Sequence, residues 1–339
     1  MSELADGLDV TACYIVREKR KLETRQNKPY LKLTLGDRSG HIGANIWDDI
    51  EHWDPLCTED DVVGVRGRVG LYQDRLQLKI QSIEPLRADG DTLERLLPTT
   101  PQDRPKMEHQ LDALIASVGD APLRELLRRC LGEASELGRG YRVHPAAKRN
   151  HHAYLAGLLE HSLSVAAICD HLAAHYREQG FAVDRDLLVS GALLHDLGKL
   201  RELRALPSSG YTTEGQLLGH IVLGMQIITR EAAEVAAFAD DRLLLLQHLI
   251  ASHQGKPEWS SPKVPQLIEA MILHYADDLD AKLNQARSLL DGVTPGEWSA
   301  YDRNLERSLF QPPALPRSEE VEPVSPDEAA ELLIDLFRS

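Results

Sequence analysis

Apolar residues alternate one in two from Val10 to Leu86 and then recur every three or four positions from Met107 to about Leu290. One layer of secondary structure cannot satisfy both periods, because the first is that of half-buried strands and the second that of amphipathic helices. The segments VTACYIV, YLKLTLGD, HIGANIWD, VVGVRGRVGLY and RLQLKIQSI are separated by Gly, Asp and Pro, which predicts five short strands closing into a small barrel over residues 1–88. Residues 89–106 are polar and carry three prolines in their PTTPQDRP stretch and its flank, so they are expected to form a linker with one short helical turn. An all-α domain is expected over 107–310. The last segment, 311–339, is Pro-rich and acidic, then reaches Ser325-Pro326-Asp327-Glu328, a capping box that opens an amphipathic helix bearing Leu332, Leu333, Leu336 and Phe337. Such a helix suits docking on its own chain or on a sister subunit, which leaves a homo-oligomer open.

At 339 residues and 42% hydrophobic content the chain can bury real cores in two domains. It has no apolar run long enough to span a bilayer and a polar start, MSELADGLDV. No membrane association is therefore expected, and the location expected is the cytoplasm. Cys13, Cys57, Cys130 and Cys169 have no CxxC spacing, so neither a zinc knuckle nor a disulfide framework is indicated.

A net charge of −15 argues against indiscriminate binding of nucleic acid, but it is unevenly spread. Residues 1–88 carry 13 Lys and Arg against 15 Asp and Glu, a net of −2, and residues 11–34 carry seven basic against two acidic residues, a net of +5. Strand parity turns Tyr30, Lys32, Trp47, Arg66, Arg68 and Tyr72 outward, with Lys19, Arg20 and Lys21 in the basic stretch. Cations interleaved with aromatic rings suit single-stranded RNA, and also single-stranded DNA, because bases stack on rings while phosphates meet Lys and Arg. An ordinary solvated barrel face with amphipathic aromatics is the alternative the pattern leaves open.

The helical half holds the chemistry. Of fourteen His, eleven fall between His144 and His274. His161 shares an apolar stripe with Leu158, Val165, Ile168 and Leu172. His195-Asp196 ends the apolar run LVSGALLHD. His253 follows Leu246, Leu249 and Ile250, and Asp277 follows Ala270, Leu273 and His274. A carboxylate on an apolar stripe is costly unless it is neutralised, and a divalent cation does so. His161, His195, Asp196 and Asp277 can hold one ion, with Asp196 bridging to a second that His220 and His253 complete. Imidazole and carboxylate ligands without thiolates suit Mn, Fe, Co, Mg or Zn in an open, hydrolytic site. Paired ions of this kind activate water and stabilise the leaving oxygen of a phosphodiester. Lys199, just beyond Gly198, is placed to offer a cation to the phosphate; a helix C-terminal cation is its bland alternative.

The order His161, His195-Asp196, Asp277 resembles the HD phosphohydrolase superfamily. NHHAYLAGLLEHSLSV, LLVSGALLHDLGKLREL, YTTEGQLLGHIVLG and LIASHQGKPEWSSPKVPQLIEAMILHYADDLDAK, with KPYLKLTLGDRSGHIGANIWD upstream, resemble the YhaM family of 3′ to 5′ exoribonucleases. The resemblance implies an N-terminal OB-fold barrel followed by an all-α HD domain using two divalent ions, Mn foremost. It carries the ligand roles onto His161, His195, Asp196 and Asp277, with His220 and His253 for the second ion. Asn150, His151 and His152 match the segment ahead of the first ligand helix and are expected to touch substrate or support the ligands. His274 is expected behind the ligands. Asp278 and Asp280 compete with Asp277, which the apolar stripe favours. One departure is Gln254, which stands where the family usually has a second His.

The expected function is thus metal-dependent removal of nucleotides from the 3′ end of single-stranded RNA, giving nucleoside monophosphates, with Asp196 and Lys199 at the chemistry. Two other readings stand beside it: a phosphodiesterase for small or cyclic nucleotides, and a nucleic-acid-binding module whose HD site is inactive.

Overall fold

The computed structural model describes residues 1, 4–24, 26–87, 90–147, 152–208 and 210–313. Asn150, His151 and the helix expected after Ser325 lie outside the described residues. Met1–Asn284 forms one compact unit and the chain from Gln285 a second.

Five strands, β1 (Asp9–Glu23), β2 (Pro29–Asp37), β3 (Gly40–Ile46), β4 (Val62–Tyr72) and β5 (Arg75–Pro85), close in the order β1-β2-β3-β5-β4, with a one-turn helix α1 (Ile50–Trp53) after β3. All pairs are antiparallel except β3 with β5. The alternation explains the closure: Leu31, Leu33 and Leu35 point inward with Ile42, Ala44, Val63, Val65, Val69 and Leu78, making a sealed apolar interior while the intervening residues face out.

Helices follow: α2 (Gly90–Leu96), α3 (Arg104–Ser117), α4 (Ala121–Leu131), α5 (Glu136–Val143), α6 (Gly157–Glu178), α7 (Arg185–Leu194), α8 (Lys199–Glu202), α9 (Thr213–Ala233), α10 (Asp240–Ser252) and α11 (Ile268–Leu290). Their starts are written locally. Asp103, Asp120, Ser135, Asp184 and Thr212 each accept a hydrogen bond from a backbone N–H in the first turn, satisfying a donor the helix itself leaves open. The α6 and α7 faces around Leu158, Val165, Leu188 and Ala192 pack with Leu246 and Leu249 of α10 and Ala270 and Leu273 of α11 into one core.

The segment expected as a linker is tied down. Leu96 and Leu97 pack with Ile15 and Val62 of the barrel and Leu155 of the helical part, and Thr100 donates to Glu160 Oε2 at 2.5 Å. Helix α3 also starts at Arg104, earlier than Met107, because Asp103 caps it and Pro105 sits in its first turn. No helix of the described residues is long and apolar enough to cross a membrane. Beyond Leu290, where the helical period stops, Trp298 pairs with Phe310 and Asp302 with Arg307 in isolated bridges.

Candidate metal centre and nucleic-acid face

Four elements converge on one pocket of about 120 Å³. Helix α6 brings His161, the turn after α7 brings His195 and Asp196, the end of α10 brings His253, and α11 brings Asp277. His161, His195 and His253 are essentially sealed from solvent, as is Asp196. His161 Nε2 lies 3.2 Å from His195 Nε2, 3.1 Å from Asp277 Oδ1 and 3.5 Å from Asp196 Oδ2. On the far side of the same carboxylate, Asp196 Oδ1 lies 3.5 Å from His220 Nε2 and 3.9 Å from His253 Nε2. The residues therefore fall into two groups, His161–His195–Asp277 and Asp196–His220–His253, whose ligand atoms within each group lie within 4.8 Å of one another. Asp196 presents one oxygen to each group.

The imidazoles are oriented from behind. His195 Nδ1 is 2.8 Å from Ala192 O, His253 Nδ1 is 2.7 Å from Ile250 O, His220 Nδ1 is 3.2 Å from Glu202 Oε1, and His161 Nδ1 is 2.7 Å from Asp280 Oδ2. An acceptor at every Nδ1 fixes the proton there and leaves the Nε2 lone pairs facing the pocket, the arrangement a metal needs from its imidazole ligands. Asp280 is thereby assigned behind His161 rather than in competition with Asp277. It also takes His152 Nε2 at 3.2 Å and a hydrogen bond from Ser164. His274 Nδ1 donates to His253 O at 2.8 Å, steadying the turn that carries that ligand.

Two glycines make the geometry possible. Gly219, with φ 71° and ψ 161°, kinks α9 immediately before His220, and Glu202 Oε1 then receives the His220 N–H at 3.0 Å. Gly198 has ordinary helical angles; it is needed for space, because a Cβ there would sit 1.9 Å from His220 O. Its role is close approach.

The donor set fits divalent ions. Asp196 Oδ1 and His220 Nε2 are buried polar atoms without a hydrogen-bond partner, and each such atom costs about 1–3 kcal/mol unless something else satisfies it. Burial, and secondarily the neighbouring His195, pushes His253 down to about 3, so this imidazole is a neutral donor. Burial would lower His161 too, but Asp277 and Asp280 outweigh it and raise that group to about 9, so an ion held there would have to displace the Nε2 proton to reach its lone pair. Burial raises the Asp196 carboxyl, yet the Lys199 ammonium and His195 outweigh it and hold the group well below the usual range. Lys199 Nζ stands 2.6 Å from Asp196 Oδ2, and that carboxylate keeps the buried ammonium charged against desolvation. Lys199 opens the one-turn helix α8 and lines the pocket. Gln254 Nε2 lies 3.3 Å from His253 Nε2, which puts its amide on the ligand side of that ring.

On the barrel, one cross-strand register runs Arg20–Lys32–Asn45–Lys79–Arg68 through four successive pairings. Arg20, Lys32, Lys79 and Arg68 are exposed, as are Arg66 and Tyr72. Tyr30 and Trp47 stack at 4.6 Å with an 18° interplanar angle, and Trp47 remains 38% exposed. Lys19 departs from the expected set. Its Nζ donates to Asp54 O at 2.5 Å and Cys57 O at 2.7 Å and pairs with Asp54 Oδ1, which makes it a clamp on the α1 loop. Lys21 lies 3.6 Å from Asp54 Oδ2 but is exposed. Arg20 pairs with exposed Glu18.

Glu202 and Trp259 were not singled out by the sequence, Lys79 was not among the expected site residues, and Asp280 was weighed only as a competitor of Asp277. Trp259 lines the pocket beside the ligands; its signal was the exposed aromatic in GKPEWSS.

Residues 158–282 match the HD domain family and residues 10–86 the OB-fold nucleic acid binding domain family. The chain is 36% identical over 308 residues to the 3′-5′ exoribonuclease YhaM of Bacillus licheniformis, covering 90% of this chain and 96% of that protein. The Bacillus subtilis protein of the same name gives the same identity and coverage, and that of Listeria monocytogenes 33% over the same shares of each chain. With an OB-fold barrel, an HD domain and this identity along nearly the whole of its relatives, the chain belongs to the YhaM family of 3′-5′ exoribonucleases.

Proposed function

We propose that this chain is a metal-dependent 3′ to 5′ exoribonuclease that takes single-stranded RNA, and single-stranded DNA as a second polymer, to nucleoside monophosphates. The observation that carries the reading is the shared carboxylate: Asp196 offers one oxygen to each of two buried ligand groups, and the oxygen facing His220 and His253 accepts no hydrogen bond. His161, His195, Asp196 and Asp277 would hold one ion and Asp196, His220 and His253 the other, with Mn the first choice. Bound there, the ions would supply the Lewis acidity that phosphodiester hydrolysis requires.

The chain's own residues do the rest. Asp280, Glu202 and the carbonyls of Ala192 and Ile250 keep the imidazoles aimed, so no reorganisation is needed when substrate arrives. Lys199 holds a charged ammonium against the pocket, where it meets the phosphate and opposes the charge that builds on it. The cation row of the barrel, with the Tyr30–Trp47 stack, offers phosphate contacts and a base platform upstream. A cyclic dinucleotide would not need that row. His152, buried against Asp280, supports the ligand shell, and Asn150 and His151 are assigned to substrate contact with it. An RNA substrate and free thiols, three of them buried, fit the cytoplasm.

The test is hydrolysis of an oligonucleotide labelled at either end, as RNA and as DNA, with Mn or with EDTA. Stepwise shortening from the 3′ end of RNA, abolished by EDTA, is expected. Endonucleolytic cuts, or cyclic dinucleotides as the only substrates, would overturn the assignment.

A further inference from the structure

Trp259 ends a one-turn 3₁₀ segment, Pro257–Trp259, in the loop between α10 and α11. The loop is firmly bonded. Trp259 N donates to Lys256 O at 3.0 Å, Ser260 N to Pro257 O at 2.9 Å, and the buried Ser261 donates from its own N–H to Lys256 O at 3.1 Å. Yet the indole itself is 43% exposed and belongs to none of the apolar clusters. A large ring held on a bonded loop, left wet and faced by lysine side chains instead of core, is a surface on which a ligand can stack.

Its position says which ligand. Trp259 shares the pocket lining with His161, Asp196, Lys199, His253 and Asp277, and among the described lining residues it is the one ring that is not an imidazole. The pocket, about 120 Å³, is well below the roughly 300–1,000 Å³ that encloses a whole small ligand. A phosphate fits beside the ligand residues, but the base attached to it must rest on the rim. Lys256 Nζ and Lys282 Nζ lie over the indole, 4.7 Å and 5.7 Å from its centroid, and Lys282 is also paired with Asp278 Oδ2 at 2.6 Å, so a planar molecule that stacks on this ring takes the place of side-chain cations and leaves their ammonium groups at its edge. A planar base joined to a phosphodiester has that chemistry.

We infer that Trp259 is the platform on which the base of the 3′-terminal nucleotide stacks while its phosphodiester lies in the pocket. The inference rests on the exoribonuclease reading. Because every base has a π face, the platform positions the end without reading its sequence. The enzyme should therefore tolerate any terminal base and discriminate against a terminus that has none.

The test pairs enzyme and substrate changes. Single-turnover hydrolysis with Mn is measured on RNA ending in adenosine and on the same RNA ending in an abasic ribose, for wild type, Trp259→Ala and Trp259→Phe. Wild type should need about tenfold or more higher enzyme for half-saturation on the abasic end, the scale of one base–aromatic stack. Trp259→Ala should show that same loss on the adenosine end and no further loss on the abasic end, while Trp259→Phe keeps most of the wild-type preference. Equal losses on both ends in Trp259→Ala, or a wild type indifferent to the missing base, would overturn the platform. A wild type that shortens neither RNA would instead overturn the nuclease reading beneath it.

Discussion

Asp196 is the residue on which the centre turns, because it is 2% exposed and yet its carboxylate lies against four imidazoles and an ammonium through Oδ2 and Oδ1. Asp196→Ala removes the one group common to both ligand sets, so hydrolysis should vanish and metal content, read by elemental analysis of purified protein, should fall. RNA binding in a filter assay should survive, since the barrel is untouched; wild-type turnover with full metal would sink the two-ion arrangement. Lys199 is a sharper case. If its ammonium opposes charge developing on the phosphate, Lys199→Met should cost about a hundredfold or more in single-turnover rate with metal content preserved. The same substitution leaves Asp196 without its 2.6 Å counter-charge, so the metal-free protein should also melt lower, and Mn should restore most of that loss. A near-normal rate with a lowered melting temperature would make Lys199 a structural counter-ion to Asp196.

At the scale of elements, the periods in the sequence were enough to lay out five strands and the helices to Leu290, because burial on one face is what sets those periods. That these residues would come together was legible for the same reason: His161, Asp196 and His253 break apolar stripes where a polar group needs a partner. What stands behind them was not. Asp280 meets His161 across 119 positions and Glu202 meets His220 across 18, and no local pattern reports such contacts. Lys19 misleads in the opposite sense, since parity places it on the outside of the barrel but cannot show the α1 loop folding over to capture it. The kink in α9 was also invisible, for GQLLGHIVLG reads as an unbroken helix. Gly219 sits in a backbone region that is essentially reserved for glycine. Gly219→Ala should therefore cost on the order of 1–3 kcal/mol in stability and swing His220 off Glu202. Metal titration should then show the Asp196–His220–His253 group weakened by about 10–100-fold, with the His161 group retained. Unchanged affinity at both would mean the kink does not position His220.

For the whole molecule, the barrel and the HD helices share the apolar cluster of Ile15, Val62, Leu96, Leu97 and Leu155, so a strand held on one is presented to the other by a packed joint instead of a loose tether. Long and short substrates should then separate the two contributions. Neutralising Lys32, Arg68 and Lys79 to Gln removes three exposed cations from one cross-strand register, whereas changing Lys19 would also release Asp54 and the α1 loop. Each phosphate contact on a single strand contributes a slope of about −0.7 to the logarithm of affinity against the logarithm of salt. If all three residues meet phosphates, the triple variant should bind a long single-stranded RNA more weakly and with a salt slope flatter by about two. Single-turnover cleavage of a dinucleotide, the minimal substrate, should stay within about twofold, a barrier change well under 1 kcal/mol. Binding titrations at several salt concentrations, run beside the dinucleotide assay, decide the matter. An unchanged slope would remove these residues from the RNA path, and an equal loss on long and minimal substrates would mean that the barrel acts on the catalytic pocket itself and not as the holder of the strand.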